Sequence, residues 1–288
     1  MKQQHRIHWK KGLDITPEIF IASDNYHITE RHLLGRFLAT KGYGILPENN
    51  FYIEKNIDNQ RLSIQKIECL AISKDGYVIN IQKDTSFQKE LTLTEPTETE
   101  LYVVLTVNPS PTTVDEKELY IYPEYNFIFK NTKETIEQGI PVLKIYKNHS
   151  YWEIDNHYIP PSFALNSLDT LKHKYIEIKD VINRIIEKIP ENDTLYLPII
   201  MLQLELNSYS LQKTPEELTL LMKKFCRIFQ LYLKTAKEIE ESYNMKKFMT
   251  EPYNHNEIEK VLRSGFENLF EIHRILDEKP EEIFEIKV

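Results

Sequence analysis

The sequence predicts an α+β protein in which an antiparallel β-sandwich or barrel-like domain precedes a four-helix bundle. Before residue 161, apolar and polar residues alternate in short runs, as they do in half-buried strands. After residue 161, apolar residues recur three or four positions apart, as on one face of a helix. Six of the 7 glycines lie before Pro161, which fits a first part made of strands and turns.

The length of the chain favours two cores. It has 288 residues, near the roughly 250–300 at which a single core usually divides. We therefore expect a β-rich domain over 1–161, a helical bundle over 162–279 and a C-terminal tail over 280–288.

Short period-two runs mark the strands of the first domain. Lys74-Asp75-Gly76 separates two of them and predicts a hairpin turn, because glycine readily adopts positive φ. Short strands separated by Pro or Asn favour an antiparallel arrangement over a parallel sheet with crossover helices. A short helix is predicted over 28–41, capped by Thr29, although Gly35 weakens it. The runs predicted as strands are 62–64, 78–81, 91–93, 101–107, 119–122, 127–129, 142–146 and 151–154.

The first helix after the boundary carries a long apolar seam that Pro190 ends. Most such seams form the core of their own bundle, and this is one interpretation. The other is a trimer interface, because isoleucine at both seam positions favours trimers or higher assemblies. The candidate interface residues are Leu168, Leu171, Tyr175, Ile178, Ile182 and Ile185.

Three further helices complete the predicted bundle. An almost uniformly apolar segment over 195–211 predicts a buried helix. Thr214-Pro215-Glu216-Glu217 combines an N-cap residue, a proline at the first helical position and a glutamate three residues after the cap, which predicts a helix start. A fourth helix is predicted from about Asn256 until Pro280.

Composition and motifs argue against several classes of function. The formal net charge of −8 disfavours nucleic acid as a partner, and no apolar run reaches the roughly 20 residues of a membrane span. The spacing of glycines, serines and metal-ligating residues predicts no catalytic residue, no cofactor and no metal site. Cys69 and Cys226 lie in apolar runs and are interpreted as buried thiols of a cytoplasmic protein. Asp155, between Trp152 and His157, forms the most enzyme-like cluster, but a turn explains it better.

The junction between the two parts resembles a known family. Its sequence, Tyr-Trp-Glu-Ile-Asp-Asn-His-Tyr-Ile-Pro-Pro-Ser over 151–162, is similar to the W-x-x-D-x-x-Y-I-P-P segment of the TssK family. TssK is the trimeric baseplate subunit of the bacterial type VI secretion system. The opening Trp9-Lys-Lys-Gly-Leu13, followed by Pro17 and Phe20, and the hairpin over 67–81 are also similar to family segments. The resemblance extends over about residues 5–276.

The resemblance implies a structural homotrimer that binds other baseplate proteins. It makes Trp9, Gly12 and Pro17 the candidate partner-facing residues, with a terminal strand of the sheet as the alternative. Family members also have a C-terminal head that docks on the membrane complex. Only 12 residues follow Leu276, so we expect the head to be missing and do not carry membrane-complex docking over. A phage tail or receptor-binding component, or a ligand-binding protein or enzyme with a site between the domains, remain the alternatives.

Trp152, Pro160 and Pro161 are predicted to form the interdomain connector. A proline biases the residue before it towards extended structure, so two in succession predict a stiff segment. Ser162 is then in position to cap the first helix.

Overall fold

The structure, a computed structural model, describes the residues 7, 8, 10, 12–40, 42–47, 51–58, 60–82, 88–93, 98–109, 123–208, 210–236 and 243–278. They divide into two compact units. The first consists mainly of residues up to Asp155, and the second mainly of residues from Asn156 onwards.

The described residues of the first unit form one long helix and nine strands. Helix α1 spans Pro17–Ala39. The strands that follow are β1 (Gly44–Ile45), β2 (Tyr52–Asp58), β3 (Arg61–Ile72), β4 (Val78–Ile81), β5 (Lys89–Thr92), β6 (Glu100–Asn108), β7 (Glu124–Asn131), β8 (Ile140–Asn148) and β9 (Tyr151–Ile154). All pairings among these strands are antiparallel, as the short runs separated by Pro or Asn predicted. The predicted strand over 119–122 lies outside the described residues.

The strands form two sheets that meet along both edges. In the first sheet, the first half of β3 pairs with β2 and β5, and its second half pairs with β1 and β4. The second sheet has the order β7-β6-β8-β9. Strand β2 lies beside β9, and β5 lies beside β7. Leu62 and Ile64 of β3 and Val103 of β6 are fully buried, so the core lies beneath the two central strands.

Helix α1 begins eleven residues earlier than the predicted 28–41, and this prediction of its start was wrong. Pro17 occupies its first turn, where the missing N–H costs no hydrogen bond. Thr29, the expected cap, lies in mid-helix, and its hydroxyl donates a hydrogen bond to the Asn25 carbonyl at 2.8 Å. The error has a physical cause: a threonine that bonds four residues back resembles a cap in sequence.

The second unit has five described helices where four were predicted. They are α2 (Asp169–Ile186), α3 (Tyr196–Ser208), α4 (Pro215–Ala236), α5 (Tyr243–Thr250) and α6 (Ile258–Glu278). Helices α2 and α4 each pack against both α3 and α6, and the unpredicted α5 packs against α4 and α6. One apolar core runs through all five helices.

The two predicted helix starts have different outcomes. At α4 the capping box is confirmed, since the Glu217 amide donates to the Thr214 hydroxyl at 3.1 Å and the Thr214 amide donates to Glu217 at 2.8 Å. At α2 the predicted cap is wrong, because Leu168 holds the N-cap position. The Ser162 hydroxyl instead donates to the Pro160 carbonyl at 2.9 Å, within the segment before the helix.

Candidate interaction surfaces

The apolar seam of α2 faces the core of its own unit. Five of its six candidate interface residues are buried within a single chain, and Leu168 is partly buried against the same core. The Tyr175 hydroxyl donates to the Leu206 carbonyl of α3 at 3.3 Å, which ties the seam to a neighbouring helix. Within one chain the seam therefore forms part of the chain's own core, which is the first of the two interpretations, and a role at a trimer interface stays a prediction. The five buried residues are Leu171, Tyr175, Ile178, Ile182 and Ile185.

Helix α3 carries an apolar stripe on its outer side. Leu197, Met201 and Leu204 are 67%, 64% and 63% exposed, and their spacing of four and three residues aligns them along the helix. The opposite side of the same helix is buried in the core. A helix that is apolar on both sides is typical of one covered by a second surface. The buried residues are Ile199, Leu202 and Leu206.

The charge on α3 lies beside this stripe. Glu205 is the one charged residue among the 13 of the helix, and the Lys224 ammonium of α4 donates to its carboxylate at 2.9 Å. The stripe itself therefore carries no charge that a partner would have to desolvate. We name Leu197, Met201 and Leu204 the α3 stripe.

Helix α1 presents a second apolar surface. Gly35 is the one buried residue of its 23. Globular proteins bury most large apolar side chains of a helix against their own core, so this exposure makes α1 a candidate interaction surface. The exposed large apolar residues of the helix are Phe20, Ile21, Leu33, Leu34 and Phe37.

Two glycines set the position of α1. A Cβ atom on Gly35 would overlap the carbonyl oxygen of Gly76 in the β3–β4 turn, so the helix backbone lies directly on the turn. Gly76 itself has φ +92°, which favours glycine, and a Cβ there would overlap backbone and side-chain atoms of Arg36 at 2.4–2.7 Å. The predicted turn and the glycine that weakened the predicted helix thus form one contact.

His32 adds two contacts to the same junction. Its ring stacks on the Tyr77 ring with centroids 4.0 Å apart and planes within 3°. Its Nε2 lies 2.8 Å from the Asp75 carbonyl oxygen, so Nε2–H donates there. The Asp75 carboxylate in turn accepts a hydrogen bond from the Gly139 amide at 3.1 Å, which ties the turn to the start of β8. These contacts attach the part of α1 around His32 and Gly35 to the β3–β4 turn.

The predicted partner-facing residues lie at and before the start of α1. Trp9 is outside the described residues. Gly12 is exposed with φ +84°, and the exposed Pro17 begins the helix. Within the described residues 12–16 no strand is formed, so this stretch does not extend the sheet as the alternative prediction proposed.

The connector residues are buried on both sides of the boundary. Trp152 is 7% exposed in β9 of the first unit. Pro160 and Pro161 are buried in the second unit. The stiffness of this segment stays a prediction.

Three further properties of the described residues bear on function: the state of the thiols, metal binding and membrane insertion. Burial raises the pKa of the Cys69 and Cys226 thiols to about 12, so both stay protonated. Within the described ranges, no group of three or more His, Cys, Asp or Glu residues could hold a metal ion. None of the described helices combines the length and apolarity needed to cross a membrane.

A cavity of about 560 Å³ opens among α4, α5 and α6. It is lined by three lysines, four glutamates and the ring of Phe248, so its walls carry both signs of charge. Neither Asp155 nor His157 lines it. The Asp155 amide donates to the Lys144 carbonyl at 2.9 Å, as expected for a residue in a turn next to a strand.

Sequence reasoning missed both exposed surfaces, although each left a signal. The even apolarity of α3 was interpreted as complete burial, whereas it reflects two apolar sides with different neighbours. For α1, the signal was Gly35. Glycine destabilises a helix interior, so its presence there indicates that another backbone comes close.

No protein-family model and no curated protein matches the sequence. Several solved structures match the fold of the chain. A crystal structure of TssK matches with a TM-score of 0.60 and 12% identity, covering 94% of this chain and 69% of that one. A TssK from the type VI system of EAEC, bound to a nanobody, matches with a TM-score of 0.61 and 13% identity, covering 88% and 68%. A chain of the TssK-TssF-TssG baseplate subcomplex, solved by cryo-electron microscopy, matches with a TM-score of 0.62 and 14% identity, covering 94% and 99%. The resemblance expected from the junction is confirmed at the level of fold, and this chain shares its fold with TssK.

Proposed function

We propose that this chain is a structural subunit of a type VI secretion baseplate and acts by binding rather than by catalysis. Its shared fold with TssK over most of the chain supports this proposal, since one of the matched chains comes from a complex with TssF and TssG. By this proposal the protein works in the cytoplasm, with the β-rich domain over 1–161 binding other baseplate proteins. The four long helices of the domain over 162–279 would act as the self-associating bundle, and α5 would be an addition to it.

The α3 stripe is the observation that supports self-association. Its three side chains lie in one straight row, and a straight apolar row fits the same row on a symmetric copy. Burying a Leu or Met side chain that is two-thirds exposed contributes about 1–2 kcal/mol. Three such side chains from each copy supply several kcal/mol, which suits association at micromolar concentration. By this proposal the copies form a homotrimer.

Light scattering at micromolar concentration tests the trimer. The expected mass is three times that of the 34.3 kDa chain. Replacing Met201 and Leu204 by Glu should give a monomer, because each new carboxylate would have to be buried without a partner. Leu231→Glu, at a residue of α4 that is 56% exposed, is the matched control and should stay trimeric.

A pull-down with TssF and TssG from the organism that encodes this chain tests the baseplate assignment. The wild-type chain should form a stable complex with the two purified proteins. A monomeric wild type that binds neither protein would overturn the proposal.

A further inference from the structure

We propose that the cavity among α4, α5 and α6 is a groove that binds an extended peptide segment carrying both acidic and basic side chains. The inference goes beyond the proposed function, because it concerns one surface of the second unit and requires neither a trimer nor a baseplate partner.

The cavity is elongated along α6. Five residues of that helix line it at successive spacings of four, three, four and three, so they form one row along the side of the helix. At a rise of about 1.5 Å per residue, the interval from 257 to 271 covers about 21 Å. An extended chain rises about 3.3 Å per residue, so about six residues of a peptide span this row. The row consists of Glu257, Val261, Ser264, Asn268 and Glu271.

The cavity has a buried bottom and exposed rims. Phe248 and Asn268, which line it, are 3% and 5% exposed, whereas Lys247 and Glu251 are exposed. The Phe248 ring lies close to the backbone of α6, since a Cβ on Gly265 would be 2.9 Å from it. The bottom therefore combines an aromatic ring with an amide, and charged side chains surround the opening.

Asn268 has unpaired hydrogen-bonding groups at the bottom of the cavity. One N–H of its amide donates to the Ser264 carbonyl at 2.7 Å. Among the residues that the structure describes, nothing accepts its second N–H or donates to its Oδ1. Buried polar groups are nearly always hydrogen-bonded, so an occupant of the cavity is expected to pair with them. A donor and an acceptor side by side match the C=O and N–H of a peptide backbone.

The charges of the cavity disfavour other classes of occupant. Seven of its 13 lining residues are Lys or Glu, whereas pockets for small molecules are mostly apolar. The four glutamates outnumber the three lysines, so the cavity lacks the positive charge that a nucleic acid requires. A peptide can meet both signs of charge and the unpaired amide at once.

The two rims each present both signs of charge. Lys247 and Glu251 lie on the α5 side of the opening, and Lys260 and Glu267 lie on the α6 side. All four side chains belong to exposed residues. Successive side chains of an extended peptide point to opposite sides, so such a peptide places charged side chains against both rims. This arrangement predicts a ligand with at least one acidic and one basic residue.

Selection of a random heptapeptide library displayed on phage, against the immobilised full-length chain, tests the inference. Enriched peptides should contain acidic and basic residues together, and synthetic copies should bind the chain in solution. The library contains no baseplate protein, so its result is separate from that of the pull-down with TssF and TssG.

Two variants locate the bound peptide. Asn268→Leu should weaken binding of the synthetic peptide about 5- to 150-fold, which corresponds to the loss of two neutral hydrogen bonds. Its thermal midpoint should not fall, because leucine leaves no buried amide unpaired. Lys247→Glu should weaken binding about 2- to 5-fold, as expected for one exposed ion pair. Lys234→Glu, at an exposed residue of α4 outside the cavity, is the matched control and should bind as the wild type does.

The outcomes either support the groove or overturn it. A peptide that binds the wild type and loses affinity in Asn268→Leu supports it. If no peptide is enriched, or if the enriched peptides bind Asn268→Leu as tightly as the wild type, the inference is overturned. Enriched peptides without charged residues would overturn it as well, because the rims would then contribute nothing to recognition.

Discussion

Gly35→Ala tests the attachment of α1 most directly. An added Cβ would overlap the Gly76 carbonyl oxygen and lie 2.9 Å from its carbonyl carbon. Both atoms are backbone, so no side-chain rotation can relieve the overlap, and the helix must move away from the turn. Movement would break the hydrogen bond from His32 to Asp75 and separate the stacked rings of His32 and Tyr77.

The expected magnitude follows from these contacts. The hydrogen bond contributes about 1 kcal/mol and the ring stack about 0.5–1.5 kcal/mol. Alanine restores about 1 kcal/mol of helix propensity relative to glycine. The net loss of attachment free energy is therefore about 0.5–1.5 kcal/mol, which corresponds to about a 2- to 12-fold change in the fraction of detached helix.

Hydrogen exchange of the α1 amides is the suitable assay. Most helical stability in proteins comes from tertiary packing, so detachment should let α1 fray and should speed amide exchange by the same factor. The thermal midpoint should change little, because Gly35 is the one buried residue of α1. Glu30→Ala, at an exposed position of the same helix, controls for helix propensity. Unchanged or slower exchange in Gly35→Ala would refute the backbone contact as the anchor of α1.

Three further perturbations test other parts of the molecule. Gly265→Ala in α6 places a Cβ 2.7 Å from the end of the buried Met222 and 2.9 Å from the buried Phe248 ring, so both must shift and chemical denaturation should show a loss of about 1–3 kcal/mol. Thr214→Ala removes one half of the capping box and should cost about 1 kcal/mol by the same measurement, whereas Thr214→Ser should cost less. The Tyr146 hydroxyl, which donates to Glu153 at 2.8 Å, is the main cause of the lowered pKa of that carboxyl. The stability it contributes is present above the carboxyl's ordinary pKa and is lost as pH falls through the lowered value. Tyr146→Phe should return the pKa of Glu153 towards its ordinary value in an NMR titration.

Features set by neighbouring residues could be predicted from the sequence. The capping box at Thr214 is formed by residues within one turn, and the structure shows both of its hydrogen bonds. The alternation in β6 and the apolar seam of α2 likewise identify strand and helix, because one buried face imposes its period on the sequence. Such patterns establish whether a segment is a strand or a helix and which of its faces is buried.

What covers a face could not be predicted in the same way. The seam of α2 favoured a core but also fitted a trimer interface, since both demand the same residues at the same spacing. The contact of Gly35 with Gly76 joins positions 41 residues apart, and no local pattern connects them. Helix α5 was missed because its eight residues carry too few apolar positions to establish a period.

The two exposed apolar surfaces differ in the arrangement of their apolar residues and in the charges beside them. The α3 stripe is one straight row without charge, and a copy of the same row can pack against it with no groove and no rim. The apolar residues of α1 point in several directions and lie among charges of both signs, since Glu30 and Arg31 are both exposed on this helix. Because no residue is shared between the surfaces, self-association and partner binding should respond to separate substitutions.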